Sequence, residues 1–137
     1  GRNYAAHARE FGNDPDREPP FFFTKPGDAV IDDGAVIPYP PDTQNLHFEG
    51  ELVVAIGKAG FEIDEAEALS HVWGYAAGND LTRRDLQNQA KDMRRPWDFA
   101  KGFDRSALCG PLVRAQDMGR PAGAIRLRRS RRPGSPT

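Results

Sequence analysis

The chain has 137 residues, of which 38% are hydrophobic and 28% are charged, a composition typical of one globular domain of ordinary size. Its formal net charge of −1 argues against a general role at nucleic acids or membrane surfaces, because nothing supplies a sustained attraction to phosphate groups. The one cysteine, Cys109, excludes an intrachain disulfide, and no apolar run approaches the roughly 20 residues that span a bilayer. We therefore expect a cytoplasmic protein without nucleic-acid or membrane partners, in which Cys109 is a packing residue.

The first forty residues predict short elements separated by proline-bearing connections. Residues 4–11 are predicted to form a short helix or turn, and residues 13–20 a polar loop. The three phenylalanines at positions 21–23 predict a short buried strand. The turn signal Asp32-Asp33-Gly34 has apolar residues on both sides and predicts a β-hairpin.

The middle of the chain has the clearest strand patterns. Apolar and other side chains alternate from Leu46 to Ile56, which predicts a strand. A helix is predicted to begin near Asp64, which precedes a glutamate by three residues as in a capping box, and to carry His71 on its surface. Residues 73–78 are small or aromatic and bounded by glycine, which predicts a buried strand.

Towards the C-terminus the signals alternate between helix and loop. Thr82 and Asp85 are typical of a helix start, and this helix is predicted to extend to about Lys91. Residues 94–103 are predicted to be mostly loop, and Leu112-Val113 a short strand. These elements together predict an α+β fold that is predominantly β, with two or three short helices.

Three acidic side chains form the first candidate site. Glu49 and Glu51 are two residues apart in the strand pattern, so both project from the same face, with Cα atoms about 6.5–7 Å apart. Asp80 lies where the strand of residues 73–78 meets the next helix, a common position for a third oxygen ligand. All-oxygen ligands suit Mg²⁺ or Mn²⁺, and also Ca²⁺, whereas no cysteine–histidine cluster suggests zinc. On spacing alone, a solvated strand face with alternating charges explains the pattern better than a metal site does, because two glutamates two residues apart are a weak signal.

A histidine and a glutamate form the second candidate site. His7 and Glu10 are three residues apart, so one helical turn would place them on the same face. The carboxylate would orient the imidazole and support its positive form, as activation of a water molecule requires. An ordinary surface contact has the same spacing. His47 adjoins the acidic strand and fits either a role behind the metal ligands or a structural role.

Five ordered segments resemble the fumarylacetoacetate hydrolase family. They are residues 1–7, 22–26, 45–52, 78–87 and 96–104. The resemblance implies a mixed β-sheet or β-roll core with short helices, and it makes residues 1–127 a partial catalytic domain. Family members continue past Leu127, so the fold is expected to be incomplete at its C-terminus as written. Residues 128–137 form a basic tail of Arg, Pro and Ser that is predicted to be disordered.

The resemblance also implies roles for individual residues. Glu49, Glu51 and Asp80 match the family's ligands for a divalent metal, Mg²⁺ or Mn²⁺. The implied catalytic residues are His7, paired with Glu10, and Lys101, whose ammonium would stabilise a developing enolate or oxyanion. The implied substrate-binding residues are Arg2, Tyr4, Lys25, Gln87 and Lys101.

The implied reaction is hydrolysis of a carbon–carbon bond in a 1,3-dicarbonyl acid. The favoured substrate is an acylpyruvate, above all fumarylpyruvate, which would give fumarate and pyruvate in the breakdown of aromatic compounds. The expected partners are this small oxo acid and, in the full-length family form, a second copy of the chain in a homodimer. Two alternatives stay open. One is an inactive truncated remnant that binds metal without turnover, and the other is a family isomerase or oxaloacetate decarboxylase, because these enzymes share nearly the same site residues.

Overall fold

The computed structural model describes residues 21–119 and residue 121, and all structural statements refer to these residues. Its strands are β1 (Val30–Asp32), β2 (Leu46–His47), β3 (Gly50–Ile56), β4 (Val72–Asp80), β5 (Thr82–Arg83), β6 (Ala107–Cys109) and β7 (Val113–Arg114). Its α-helices are α1 (Arg84–Asp92), α2 (Asp98–Lys101) and α3 (Ala115–Met118), and 3₁₀ turns form at Gly27–Ala29 and Glu65–His71. Within this part of the chain, no helix has the length and apolar character needed to cross a membrane.

The larger sheet is mixed. Its strand order is β1-β6-β4-β3, and β7 also pairs with β4. β1 runs parallel to β6, whereas β4 pairs antiparallel with β3, β6 and β7. β2 and β5 form a separate two-stranded antiparallel ladder. The predicted fold class, a mixed β-sheet with short helices, is confirmed.

The two faces of the antiparallel pair β3–β4 differ in burial. Glu51 pairs with Gly78 across the two strands, so Glu51 lies on the same face as Asp80, two residues further along β4. On that face β4 is buried. The opposite face is apolar but more exposed, since Ile56 is 66% and Val54 is 44% exposed. The acidic side chains therefore lie on the packed face of the sheet.

Helix α1 is attached to the preceding loop through its first turn. The Asp85 carboxylate accepts hydrogen bonds from Thr43 Oγ1 (2.6 Å), from the main-chain N–H of Gln44 (2.9 Å) and from that of Leu86 (3.0 Å). These three donors lower the pKa of Asp85, with the Thr43 hydroxyl making the largest contribution. A carboxylate at this end also complements the helix dipole. The predicted helix start at this point is confirmed, and α1 ends at Asp92.

Two predictions near the N-terminal side are wrong. Residues 21–23 form no strand, and Phe22 is 79% exposed. Instead, the Phe21 ring packs against Trp97 with ring centroids 4.9 Å apart. A turn does form after Asp32, but β1 pairs in parallel with β6 rather than with the residues after the turn. The local turn signal was correct, whereas the strand partner comes from a distant part of the chain.

Other predictions need correction in the middle of the chain. The helix expected from Asp64 is a 3₁₀ turn without a side-chain cap. His71 is buried rather than on a helix surface, and its Nδ1 lies 2.9 Å from the main-chain oxygen of Lys58. The strand expected over residues 46–56 is divided into β2 and β3 around Phe48 and Glu49. The loop expected at residues 94–103 contains α2.

Strand β6 was not predicted. Its three residues, Ala107–Cys109, are too few to show an alternating pattern, and the strand is defined by its pairing with β1 on one side and β4 on the other. Cys109 is half-buried within it. The strands β4 and β7 confirm the predictions for residues 73–78 and, with a shift of one residue, for Leu112-Val113.

Candidate active site

The structure brings the three predicted acidic residues together. Glu51 lies in β3, Asp80 is the last residue of β4, and Glu49 lies just before β3. One carboxylate oxygen from each residue lies within 4.8 Å of the others. The main chain fixes this arrangement, because the N–H of Asp80 donates to the carbonyl oxygen of Glu49 (2.8 Å). The N–H of Glu49 in turn donates to the side-chain oxygen of Asn79 (3.2 Å).

The side chain of Lys101 lies between two of these carboxylates. Its Nζ is 2.8 Å from Glu49 Oε2 and 2.8 Å from Asp80 Oδ2, and it also donates to the Thr82 hydroxyl. Helix α2 delivers this lysine from its last residue, and the side chain is only 1% exposed. An ammonium buried this deeply is stabilised because all its N–H groups have oxygen partners.

Two further cations contact the acidic cluster. Arg84 Nη2 lies 2.6 Å from Glu49 Oε1, and Lys25 Nζ lies 2.7 Å from Asp80 Oδ1. Together with Lys101, they give three positive charges beside the three carboxylates, so these six side chains have a formal charge of zero. A bound divalent cation would make the site positive overall. The site therefore suits an anionic ligand.

The surroundings set the protonation state of Glu49. Burial raises the pKa of this carboxyl, but the hydrogen bonds and charge of Lys101 and the hydrogen bond from Arg84 outweigh burial and lower the pKa from 4.5 to about 2. Glu49 is thus ionised throughout the neutral range. An ionised carboxylate is the form that binds a hard cation.

Asp80 has an oxygen that is suited to a cation. Lys25 donates to the main-chain oxygens of Leu81 (3.1 Å), Ser106 (3.0 Å) and Lys101, and an ammonium has only three N–H groups. The ammonium also forms an ion pair with the buried Asp80 Oδ1 at 2.7 Å, so four oxygens share its three N–H groups. Asp80 Oδ1 thus has a positive partner in Lys25, and a bound metal ion would add a second one.

The donor set also fits a divalent metal by size. Oxygens on opposite sides of one ion are about 4.2 Å apart for Mg²⁺ and about 5 Å apart for Ca²⁺. The separation of up to 4.8 Å within the cluster falls in this range. Glu49, Glu51 and Asp80 would hold the ion, and their all-oxygen chemistry favours Mg²⁺, Mn²⁺ or Ca²⁺ over softer metals.

Gln87 lies beside the acidic cluster, on helix α1. Its side chain is 3% exposed, and its Oε1 accepts a hydrogen bond from Arg84 Nη1 at 2.6 Å. Because the carbonyl oxygen is engaged in this way, the polar group that remains for a ligand is the NH₂ donor. The same guanidinium thus contacts both Gln87 and Glu49.

Sequence reasoning missed Arg84, Thr82 and Ser106. Arg84 could have been found, because it is three residues before Gln87 on the same helix face. The buried hydroxyls of Thr82 and Ser106 gave no sequence signal, because their role is defined by contacts with Lys101. Thr82 Oγ1 accepts a hydrogen bond from the Lys101 ammonium, and Ser106 Oγ donates one to the Lys101 main-chain oxygen (2.9 Å).

Four predicted site residues, Arg2, Tyr4, His7 and Glu10, lie outside the described residues, so their roles stay predictions. His47 is exposed on β2, and neither of its two predicted roles is tested. The roles of Lys25, Gln87 and Lys101 toward a substrate also stay predictions, although the structure places all three at the acidic cluster.

The described part of the chain thus has a mixed sheet with a carboxylate cluster that could hold a metal ion and that is surrounded by lysine and arginine. A sequence profile described as fumarylacetoacetate (FAA) hydrolase C-terminal matches residues 1–133. The chain is 46% identical over 110 residues to the fumarylpyruvate hydrolase of Ralstonia sp, which covers 80% of this chain and 57% of that protein. It is 40% identical over 121 residues to the mitochondrial oxaloacetate tautomerase of Caenorhabditis elegans, covering 88% and 56% of the two chains.

A solved structure extends the likeness to three dimensions. The crystal structure of the fumarylpyruvate hydrolase of Pseudomonas aeruginosa in complex with Mn²⁺ and pyruvate matches with a TM-score of 0.80 and 58% identity, over 88% of this chain and 54% of that one. The chain belongs to the fumarylacetoacetate hydrolase family, and the resemblance predicted from its motifs is confirmed. It spans about half the length of the relatives that it matches.

Proposed function

We propose that this chain carries the metal-binding part of the active site of an acylpyruvate hydrolase, with fumarylpyruvate as substrate and Mg²⁺ or Mn²⁺ as the metal. The observation that carries the proposal is the contact of the buried Lys101 ammonium with the carboxylates of Glu49 and Asp80, both at 2.8 Å. This contact places a fixed positive charge directly beside the predicted metal position. The likeness to two fumarylpyruvate hydrolases, one of them crystallised with Mn²⁺ and pyruvate, supports the choice of substrate and metal.

The charges of the site explain why an oxo acid would bind. Glu49, Glu51 and Asp80 would hold a divalent cation, which would act as a Lewis acid toward the oxygens of the substrate's oxo-acid end. Gln87 would donate its NH₂ group to the same end of the substrate, and Arg84 holds the Gln87 amide in the orientation this requires.

Hydrolysis requires a base for water and a stabiliser for the departing carbon. In the proposed reaction, His7 oriented by Glu10 takes a proton from water, which attacks the carbonyl carbon farther from the carboxylate. The bond between that carbon and the pyruvate methylene breaks, and its electron pair becomes the enolate of pyruvate. Lys101 stabilises the negative charge of that enolate, which is protonated to give pyruvate, while the acyl part leaves as a carboxylate.

Oxaloacetate tautomerisation is the second candidate, favoured by the relative from Caenorhabditis elegans. Keto–enol exchange also develops negative charge on an enolate oxygen, so Lys101 and the cation would serve in the same way. It needs no attacking water. The two reactions can therefore share one set of described residues and be told apart only by their products.

The first experiment measures metal binding without turnover. We expect the chain to bind Mn²⁺ in a calorimetric titration and Glu51→Gln to weaken binding at least tenfold, because an ionised ligand is replaced by a neutral one. Glu65→Gln, which changes an exposed acid in the 3₁₀ turn, is the matched control and should bind as the wild type. Equal Mn²⁺ affinity in all three proteins would refute the metal site.

The second experiment measures the reaction. The loss of fumarylpyruvate absorbance, and the interconversion of the keto and enol forms of oxaloacetate, are followed with Mg²⁺ or Mn²⁺ present. The proposal expects turnover of fumarylpyruvate that Glu51→Gln abolishes and Glu65→Gln keeps. Tautomerisation without cleavage favours the second candidate, and binding of metal without either reaction indicates the non-catalytic remnant.

A further inference from the structure

We propose that Lys25 is a positioning residue that holds Asp80 and the main chain around Lys101 in the geometry the metal site needs. This inference rests on the proposed function, and it differs from the direct substrate contact that the family resemblance implies for Lys25. The ammonium acts on the acidic cluster through other residues. It need not touch substrate or metal to do so.

Four oxygens from distant parts of the chain converge on the Lys25 ammonium. Three are main-chain oxygens, those of Leu81, Lys101 and Ser106, which are 56, 76 and 81 residues away in sequence. The fourth is Asp80 Oδ1 at 2.7 Å. The ammonium thus joins the end of β4 to the segment that carries Lys101, while Lys25 itself lies just before the 3₁₀ turn at Gly27–Ala29.

The donor count explains why this lysine acts indirectly. Its three N–H groups match three carbonyl oxygens, so a hydrogen bond to a substrate would require breaking one of the existing bonds. The N–H groups of Lys101 are equally engaged, but their partners are side chains, those of Glu49, Asp80 and Thr82. Lys25 therefore holds three main-chain oxygens and one oxygen of Asp80, whereas Lys101 holds side-chain oxygens at the acidic cluster.

A second contact beside Lys25 supports the same role. A Cβ atom added at Gly102 would lie 3.3 Å from the Pro26 ring and 3.2 Å from the main-chain oxygen of Asp98. Pro26 therefore packs tightly against the end of α2, immediately after Lys101. Lys25 and Pro26 together attach their segment to the main chain at Lys101 and directly after it.

The test compares Lys25→Met with Lys58→Met, which changes an exposed lysine just after the end of β3. The first readout is Mn²⁺ affinity. We expect Lys25→Met to weaken Mn²⁺ binding about 10- to 100-fold, the range found when a partner behind a metal ligand is removed, and Lys58→Met to leave it unchanged. Mn²⁺ affinity within twofold of the wild type in folded Lys25→Met would overturn the proposal.

The second readout needs no metal. In the metal-free chain, hydrogen exchange of the amides of residues 101–106 should be at least tenfold faster in Lys25→Met than in the wild type and in Lys58→Met. Unchanged exchange there would overturn the positioning role even if the chain bound no Mn²⁺. Absence of Mn²⁺ binding in the wild type would refute the proposed function instead, so the two failures are distinguishable.

Two further measurements keep the inference testable. If Lys25→Met does not fold, Lys25→Arg decides, because it keeps the charge but its planar guanidinium does not reproduce the three-donor geometry. We expect reduced Mn²⁺ affinity in folded Lys25→Arg, and wild-type affinity would overturn the proposal. With turnover of fumarylpyruvate by this chain as the assay, Lys25→Met should lower kcat and leave KM nearly constant, whereas a raised KM at constant kcat would show a direct substrate contact and overturn the proposal.

Discussion

Replacing Lys101 by methionine tests how the acidic cluster is stabilised. The ammonium is 1% exposed and contacts Glu49 and Asp80, so its removal leaves two carboxylates with one fewer cation each. Breaking a buried ion pair costs about 3–5 kcal/mol, because an uncompensated charge stays behind. Glu49 keeps Arg84 and Asp80 keeps Lys25, so the lower end applies, and we expect a loss of about 3 kcal/mol in the free energy of unfolding.

Metal should reverse much of this loss. A divalent cation at 100 times its dissociation constant adds about 2.7 kcal/mol to stability, and in Lys101→Met it would also restore the missing positive charge. The assay is urea unfolding in EDTA and again in excess Mn²⁺. Lys58→Met is the matched control, and as an exposed substitution it should change stability by less than about 0.5 kcal/mol. A loss below about 1 kcal/mol in EDTA, or no recovery with Mn²⁺, would refute the reasoning.

Three smaller perturbations test the surrounding contacts. Ser106→Ala removes the buried hydrogen bond to the Lys101 main-chain oxygen and should cost about 1 kcal/mol in urea unfolding, whereas no loss would show that the bond is dispensable. The pKa of Glu49 is lowered from 4.5 to about 2, so its ionised form stabilises the folded chain in metal-free buffer. This stabilisation is fully present above pH 4.5 and is lost as the pH falls through about 2. This contribution is about 3 kcal/mol at most, and less after screening by water and salt. The difference in free energy of unfolding between the wild type and Glu49→Gln should therefore shrink as the pH falls. A difference that does not change with pH would contradict the lowered pKa of Glu49. Thr43→Val should raise the pKa of Asp85 toward its ordinary value in an NMR titration, and an unchanged pKa would show that the Thr43 hydroxyl is not the main cause.

Local predictions succeeded where a pattern and its structural cause lie in the same short segment. Residues 73–78 predicted the strand β4, and residues 82–91 predicted the helix α1. In both cases the signal, an apolar run or a helix-start residue, lies within a few positions of the element that it predicts. The prediction failed for Phe21–Phe23, because adjacent aromatic residues suggest a buried strand, whereas the rings of Phe21 and Phe23 pack against Trp97. His71 failed for a similar reason, because its burial depends on a carbonyl oxygen 13 residues earlier.

The sequence by itself determined the acidic cluster and the family. The two-residue spacing of Glu49 and Glu51 predicted that their carboxylates lie close together, and the ordered motifs around them and Asp80 sufficed to predict the family before any fold was known. The family resemblance also named Lys101 and Gln87, although nothing in their spacing shows how deeply either is buried.

Only the tertiary structure decided how the charges are arranged. It paired β1 with β6 and brought Arg84 to Glu49. It also placed the Lys25 ammonium against main-chain oxygens and the Lys101 ammonium against side-chain oxygens. These contacts connect residues 19 to 81 positions apart, beyond the reach of any helical or strand periodicity. Carboxylates can be recognised as candidate ligands from their order in the chain. The cations that balance their charge cannot, because they come from distant segments that only the fold brings together, in contacts close enough to exclude water.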